Sequence, residues 1–317
     1  MKIGFVGLGN VGGKLAGSLI RNGHDVTVRD LDEALMAEYV ARGAKSASSP
    51  RELGETVDLI VTCLPSPAAS SAVAEGDDGF LRVLRPGKVW LEMSTTDYSE
   101  IIRLGALVEA KGALFMECPV SGGCHRADTG NIAIFAGGPR EAFEQVLPVL
   151  TTMGRRILHT GDLGTASQLK VMTNFLCTSH LVALAEALTT SKALGLDMNI
   201  TYEAIRISSG NSFVHETESQ VILNGSRDIN FTMDLVSKDV GLFDKIAHEA
   251  GVPVELSPLI VRLFKEAEAT FGSRELSPNI IRRYEEPLGI KVLGTGFPAQ
   301  ILDDEPEEPG YEVVPKR

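Results

Sequence analysis

The chain opens on "MKIGFVGLGNVGG", residues 1–13, in which Gly7, Gly9 and Gly12 fall at G-x-G-x-x-G spacing. With 32 glycines in 317 residues, three at this spacing carry little weight alone. Their surroundings decide the matter. An apolar, strand-like run (Ile3–Val6) precedes them, a helix-like stretch (Val11–Asn22) follows, and a second strand-like run ends on Arg29 and Asp30. In a dinucleotide-binding βαβ unit the first glycine makes a tight turn, the second admits the pyrophosphate to the backbone, and the third lets helix and strand pack closely. The N–H groups and positive end of the helix then hold the phosphates. Gly7, Gly9, Asn10, Val11 and Gly12 are therefore predicted to line a pyrophosphate site. An acidic residue about 20 positions beyond the motif binds the ribose 2′-OH, and Asp30 stands there. Its carboxylate would repel a 2′-phosphate, which favours NAD. Arg29 beside it could pair with that phosphate, which keeps NADP open.

Outward from this unit, strand-like and helix-like runs alternate to about residue 162. The strands are expected at Ile3–Val6, Val26–Arg29, Leu59–Cys63, Val89–Met93, Leu114–Glu117, Ile132–Ala136 and Ile157–His159. Alternation of this kind predicts a largely parallel sheet covered by helices on both faces. From Thr165 to Leu194 there is neither Gly nor Pro, and apolar residues occur nearly all round the helical period. Such a helix would span roughly 45 Å and should be buried between other elements. Beyond it the chain stays helical in character to about Tyr284. The fold class is α/β: a Rossmann-type N-terminal domain over residues 1–162, then an all-α domain over 163–292 opening on the long helix. Residues 293–317, rich in Pro, Gly and acidic side chains ("LDDEPEEPGYEVVPKR"), read as a tail. It would be ordered by docking, with a neighbouring subunit as one candidate partner.

Composition narrows the function. With 30 Lys and Arg against 42 Asp and Glu, the net charge is −12, which argues against non-specific binding of nucleic acid or anionic membrane. No apolar stretch is expected to span a bilayer, for which about 20 residues are needed. Met1 leads almost at once into the first strand, so no targeting peptide is expected. Cys63, Cys118, Cys124 and Cys177 form no C-x-x-C pair. They suit the reduced thiols of a cytoplasmic protein, and no metal-ligand cluster is apparent.

Ligands of such sheets bind at the carboxyl ends of the strands. Three stretches fall there: "TCLPSP" with Leu64 and Pro65, "MSTTD" with Ser94 and Thr95, and "ECPVSGG" with Ser121, Gly122 and Gly123. The hydroxyls of Ser94, Thr95 and Ser121 are available for contact. Gly122 and Gly123 would let backbone N–H groups face a small anion; ordinary turn chemistry accounts equally for any one stretch. In "GDLGTASQLKVMTNF", Lys170 and Asn174 share a face of the long helix. Lys170 is either a general acid/base in a cleft between domains, its ammonium pKa lowered by partial burial, or a lysine snorkelling to the surface. In "SKDVGL", Lys238 and Asp239 read as a solvated charge pair. His125 and Arg126 extend the glycine loop toward an anionic or bulky substrate, and His215 is a further polar residue of interest outside any zinc motif.

Taken together, these residues resemble the β-hydroxyacid dehydrogenase family over about Lys2–Tyr284. The motifs are "GFVGLGNVGGKLAGSLIRNGHDVTVRD", "ECPVSGG", "GDLGTASQLKVMTN" and "SKDVGL". The resemblance implies hydride transfer between a nicotinamide cofactor and a 3-hydroxy acid, with Lys170 as the catalytic acid/base and Asn174 as its companion. It implies that Ser121, Gly122 and Gly123 hold the substrate carboxylate. Leu64, Pro65 and Thr95 would flank the cofactor, and Lys238 would help close over it. It also implies a homodimer or homotetramer built through the helical domain. Glu117 and Cys118 replace the usual Asp-Ala, a change expected to alter strand-end packing only. Arg126 stands where glycine is frequent, which points to a substrate with a second anionic group or a polar substituent larger than methyl. Two other readings remain: an NADPH-dependent reductase of glyoxylate or a small semialdehyde, and a non-catalytic cofactor-sensing module.

Overall fold

The computed structural model describes residues 1–316, which pack as two units. The first comprises Met1–Lys170 and the segment from Asp303 onward; the second comprises Val171–Leu302.

In the first unit the strands are β1 (Ile3–Val6), β2 (Val26–Arg29), β3 (Lys45–Ser46), β4 (Leu59–Thr62), β5 (Val89–Glu92), β6 (Leu114–Glu117), β7 (Val120–Ser121), β8 (Ala133–Gly137), β9 (Arg156–Gly161) and β10 (Tyr311–Glu312). Their order is β10-β9-β8-β6-β5-β4-β1-β2-β3, with β7 paired to β8. From β3 to β6 this is the doubly wound 3-2-1-4-5-6 order, all parallel, with its switch point between β1 and β4. Strand β8 runs antiparallel to β6, and β9 returns parallel to β8.

Helices α1 (Gly12–Arg21), α2 (Glu33–Ala41), α3 (Pro50–Thr56), α4 (Pro67–Glu75), α5 (Tyr98–Glu109), α6 (Cys124–Asp128) and α7 (Arg140–Met153) accompany the sheet. Period-2 alternation divides each central strand between two cores. In β5, Val89 and Leu91 join Leu15, Leu19, Phe143 and Val146 on one side. Trp90 joins Leu53, Phe80, Leu104 and Phe115 on the other.

Helix α8 (Thr165–Ala193) begins in the first unit and contributes its later turns to the second, which also contains α9 (Met198–Arg206), α10 (Phe213–Asn224), α11 (Met233–Glu249), α12 (Leu256–Phe271) and α13 (Arg282–Leu288). Leu181, Ala185 and Leu188 of α8 pack in the second unit's core with Ile222, Val240 and Phe264. The expected all-round burial of α8 does not hold, because Met172 and Leu176 are exposed. By length and composition α8 also reaches what a membrane span requires, contrary to the sequence expectation, although Leu181 and its neighbours lie in a protein core.

The acidic tail docks, as expected, and does so on its own chain. It returns to the first unit as β10, parallel to β9, with Tyr311 N–H donating to Arg155 C=O at 2.9 Å and Val313 N–H to Ile157 C=O at 2.7 Å.

Candidate active site

The glycine loop joins β1 to α1 as the sequence predicts, and each glycine answers a different constraint. Gly7 has φ +97°, and a Cβ there would strike the Cys63 carbonyl oxygen. A Cβ on Gly12 would strike the Gly7 carbonyl oxygen, so helix and strand approach as closely as the third glycine allows. A Cβ on Gly9 meets nothing within 4 Å, which leaves the backbone open on the side where a pyrophosphate would lie. Helix α1 begins at Gly12, with Val11 at its N-cap making no side-chain cap bond and no acidic residue in its first turn, so its positive end remains available to an anion. Asp30 follows β2, and its carboxylate accepts Leu8 N–H at 2.6 Å and Asp32 N–H at 3.0 Å. These bonds hold the acid beside the loop. The Arg29 guanidinium turns back to donate to the Asp30 carbonyl and lies 3.6 Å from Met36 Sδ. The residues present therefore fit a dinucleotide.

At the end of β5, Ser94 does not offer its hydroxyl to a ligand, as the sequence suggests. It is buried. Its Oγ accepts Leu64 N–H at 2.8 Å, and its own N–H donates to Glu92 Oε1 at 2.8 Å. Burial pushes the Glu92 carboxyl up from the ordinary range, opposed in part by its bond from Ser94.

At the end of β6, Glu117 does far more than pack a strand end. Its carboxylate accepts Gly164 N–H at 2.6 Å, Ala166 N–H at 3.0 Å and Ser167 N–H at 2.9 Å, as well as the Ser167 hydroxyl. These are the unsatisfied donors around the start of α8. A carboxylate there also meets the positive end of a 29-residue helix. Burial raises the Glu117 pKa, and the Ser167, Ala166 and Gly164 bonds oppose that rise. Gly137, the register partner of Glu117, leaves room for the carboxylate: a Cβ on it would overlap Oε1. Lys170 follows Ser167 by one turn and is buried, with 7% of its surface exposed. The snorkelling alternative for Lys170 thus fails on burial, and Glu117 fixes the turn that precedes it.

Ser121 ends β7, and Gly122 (φ +132°) and Gly123 (φ +88°) carry the chain into α6 with left-handed backbone that favours glycine. His125 and Arg126, on α6, fold back against this loop. The His125 ring lies 2.9 Å from a Cβ placed on Gly123, and Arg126 Cδ lies 3.3 Å from one on Gly122. Burial lowers the His125 pKa, as does the Arg126 charge, while Asp303 opposes both.

In the second unit, Asn174 Nδ2 donates to Asp239 Oδ2 at 2.5 Å, and Asp239 Oδ1 pairs with Lys238 Nζ at 3.0 Å. The pair expected to be solvated is therefore buried on its acidic side. His215 is a core residue: its ring nitrogens bond Tyr202 C=O at 2.9 Å and Ser219 Oγ at 2.8 Å. Among the described residues, no group of His, Cys, Asp and Glu is placed to hold a metal ion.

Comparison with known proteins agrees with this geometry. Residues 2–161 match the family model described as the NAD binding domain of 6-phosphogluconate dehydrogenase. Residues 164–284 match that described as NAD-binding of NADP-dependent 3-hydroxyisobutyrate dehydrogenase. The chain is 32% identical over 295 residues to 2-(hydroxymethyl)glutarate dehydrogenase of Eubacterium barkeri, covering 93% of this chain and 98% of that one. It is 31% identical over 270 residues to mitochondrial 3-hydroxyisobutyrate dehydrogenase of Mus musculus, covering 83% and 81%. The crystal structure of 3-hydroxyisobutyrate dehydrogenase from Salmonella typhimurium aligns with a TM-score of 0.83 at 27% identity, covering 89% of this chain and 99% of that one.

Proposed function

The chain belongs to the β-hydroxyacid dehydrogenase family of NAD(P)-dependent oxidoreductases, and on that premise we propose that it interconverts a small 3-hydroxy acid and its carbonyl form, with Lys170 moving the proton. The observation that carries this reading is a buried lysine one turn beyond a carboxylate-capped helix start. Gly7, Gly9 and Gly12 would hold the dinucleotide by its pyrophosphate, and its nicotinamide would supply the chemistry of hydride transfer. Lys170 takes the hydroxyl proton as the neutral amine during oxidation and returns it as the ammonium during reduction. Ser121, Gly122 and Gly123 hold the substrate carboxylate. Asn174 is assigned to the substrate and Lys238 to the cofactor by the family motifs. Leu64, Pro65 and Thr95 flank the dinucleotide.

Asp30 favours NAD, supported by an Arg29 side chain engaged with the Asp30 carbonyl. The name of the Eubacterium barkeri relative describes a 3-hydroxy acid with a second carboxylate, which supports a substrate of that class held near Arg126. The protein is a homodimer or homotetramer, a reading supported by exposed Met172 and Leu176 on α8, and it acts in the cytoplasm, a reading supported by cysteines that form no disulfide. Lys170→Ala is expected to abolish turnover of 3-hydroxy acids while NADH binding, read by fluorescence, persists. Turnover at the wild-type rate would overturn the assignment. Comparing kcat/KM with NAD and NADP tests Asp30, and a preference for NADP would reverse that part.

A further inference from the structure

The segment from Asp303 onward lies beyond the residues matched by the family models, which end at 284, and it belongs to the first unit. Its outer contacts are ion pairs at the surface, each partly exposed: Glu305 with Arg156 at 2.9 Å, Glu308 with Arg155, and Glu312 with Arg140 at 2.5 Å. Pairs of this type contribute little individually. Two other contacts differ, because they converge on the end of α6. Asp303 accepts the Thr129 hydroxyl and, at 2.7 Å, the Nδ2 of Asn131, which also donates to Glu305 C=O at 2.7 Å. Asn131 is fully buried, and its N–H donates to Arg126 C=O at 2.8 Å. Glu307 pairs with Arg21 at 2.9 Å, and the same guanidinium donates to Asp128 C=O at 3.0 Å. Helix α6 is only five residues long and carries the His125 and Arg126 side chains that lie against Gly122 and Gly123.

We propose that the C-terminal segment is a strap that positions the substrate loop, with Asp303 as its positioning residue acting through Thr129 and Asn131 on α6. A five-residue helix following two left-handed glycines has little order of its own, and the strap supplies anchorage from outside the family's matched length. The inference rests on reading Ser121–Arg126 as the loop that takes the substrate.

The test uses the full chain with two variants that separate geometry from charge. Thr129→Val keeps every charge and removes one of the two bonds to Asp303; Asp303→Asn keeps the shape and removes the charge. Both are expected to raise KM for 3-hydroxyisobutyrate by roughly three- to tenfold, the worth of one or two hydrogen bonds. The kcat and the Kd for NADH should stay within about twofold, well inside a single hydrogen bond's worth. Hydrogen exchange of residues 122–131 should accelerate in both variants. Glu312→Gln, at the far end of the strap, should leave KM unchanged. An unaltered KM and exchange rate in both loop variants would overturn the strap, as would an effect confined to Asp303→Asn, which would mark a purely electrostatic role. Gly122→Ala distinguishes the two levels. If it raises KM while Thr129→Val and Asp303→Asn do not, the strap alone fails; if Gly122→Ala also leaves KM unchanged, the reading of the substrate loop fails with it.

Discussion

Glu117→Gln would test whether the buried carboxylate sets the position of Lys170. In the native protein Oε1 accepts Gly164 and Ala166 N–H, while Oε2 accepts the Ser167 N–H and hydroxyl. A glutamine of the same shape can offer oxygen to only one of these pairs. Its NH2 must then face the other set of backbone donors. One charge-assisted bond is lost, about 1.5–3 kcal/mol, and a buried N–H is orphaned at about 1–3 kcal/mol, so the variant should be destabilised by roughly 3 kcal/mol or more. For a unit of this size that corresponds to a fall of about 6–12 °C in Tm. The loss falls on the first turn of α8, one turn before Lys170. A displacement of about 1 Å at a reacting group costs on the order of 100-fold, so kcat is expected to fall about 10- to 100-fold. The glycine loop does not touch Glu117, so the Kd for NADH should be unchanged. Steady-state kinetics, NADH fluorescence and a thermal melt read the three quantities. A lower Tm with undiminished kcat would refute the link between the cap and Lys170, and no change in either would refute the cap itself.

Gly9→Ala should leave Tm unchanged, because its Cβ meets nothing within 4 Å. It should weaken NADH binding by roughly tenfold or more, since a methyl group standing where the pyrophosphate approaches acts as overpacking of about 1–3 kcal/mol. Wild-type NADH affinity in that variant would count against the glycine-loop site. The Glu218 carboxyl in α10 is pushed up to about 8 by burial. Between its ordinary value of 4.5 and about 8, the folded protein keeps a proton that the unfolded chain has released. Stability should therefore fall as pH rises through that window, by up to about 5 kcal/mol in total. Glu218→Gln should remove the Glu218 share of the slope and make the protein more stable than wild type near pH 8, as read by urea midpoints at about pH 5 and about pH 8. Equal pH dependence in the two proteins would refute it.

The elements legible from sequence are those whose signals are local and repeated. Ile3–Val6 falls where its apolar run places it, because a strand buried on both faces leaves a continuous apolar run, and Val26–Arg29 is marked instead by alternation, with Val26 and Val28 buried. Helices α3 and α4 escaped that pattern because they are short, but they carry their own start signal. Ser49-Pro50 and Ser66-Pro67 each place a capping hydroxyl before a proline at the first turn, and Ser49 and Ser66 accept Glu52 N–H and Ala69 N–H. The tail's return could not be read from composition. Its acidic residues find Arg21, Arg140, Arg155 and Arg156, which are far away in sequence and brought together only by the fold. Lys170 stood out because a lysine in an apolar helix needs a reason. Glu117 did not, because a strand-end carboxylate gives no sign of which backbone it will meet.

Glu92 and Glu117 are register partners on β5 and β6, both buried at the carboxyl edge of the sheet. A buried carboxylate is costly unless donors satisfy it; Glu117 is satisfied on both oxygens and Glu92 on Oε1 alone, by donors that include backbone N–H groups of the loops beyond. Glu92 takes Ser94 N–H, and Ser94 Oγ takes Leu64 N–H, so the two loops proposed to flank the dinucleotide are tied to one acid. Glu117 takes the start of α8, which leads to Lys170. Neither acid needs to touch substrate or cofactor. Their side chains convert the rigid spacing of adjacent strands into fixed positions for the groups that do, and this gives the mechanism its reason for keeping two acids buried. It also explains why Ser94, a hydroxyl at a strand end with every outward sign of a ligand contact, is buried instead: it is the link between one of these acids and its loop.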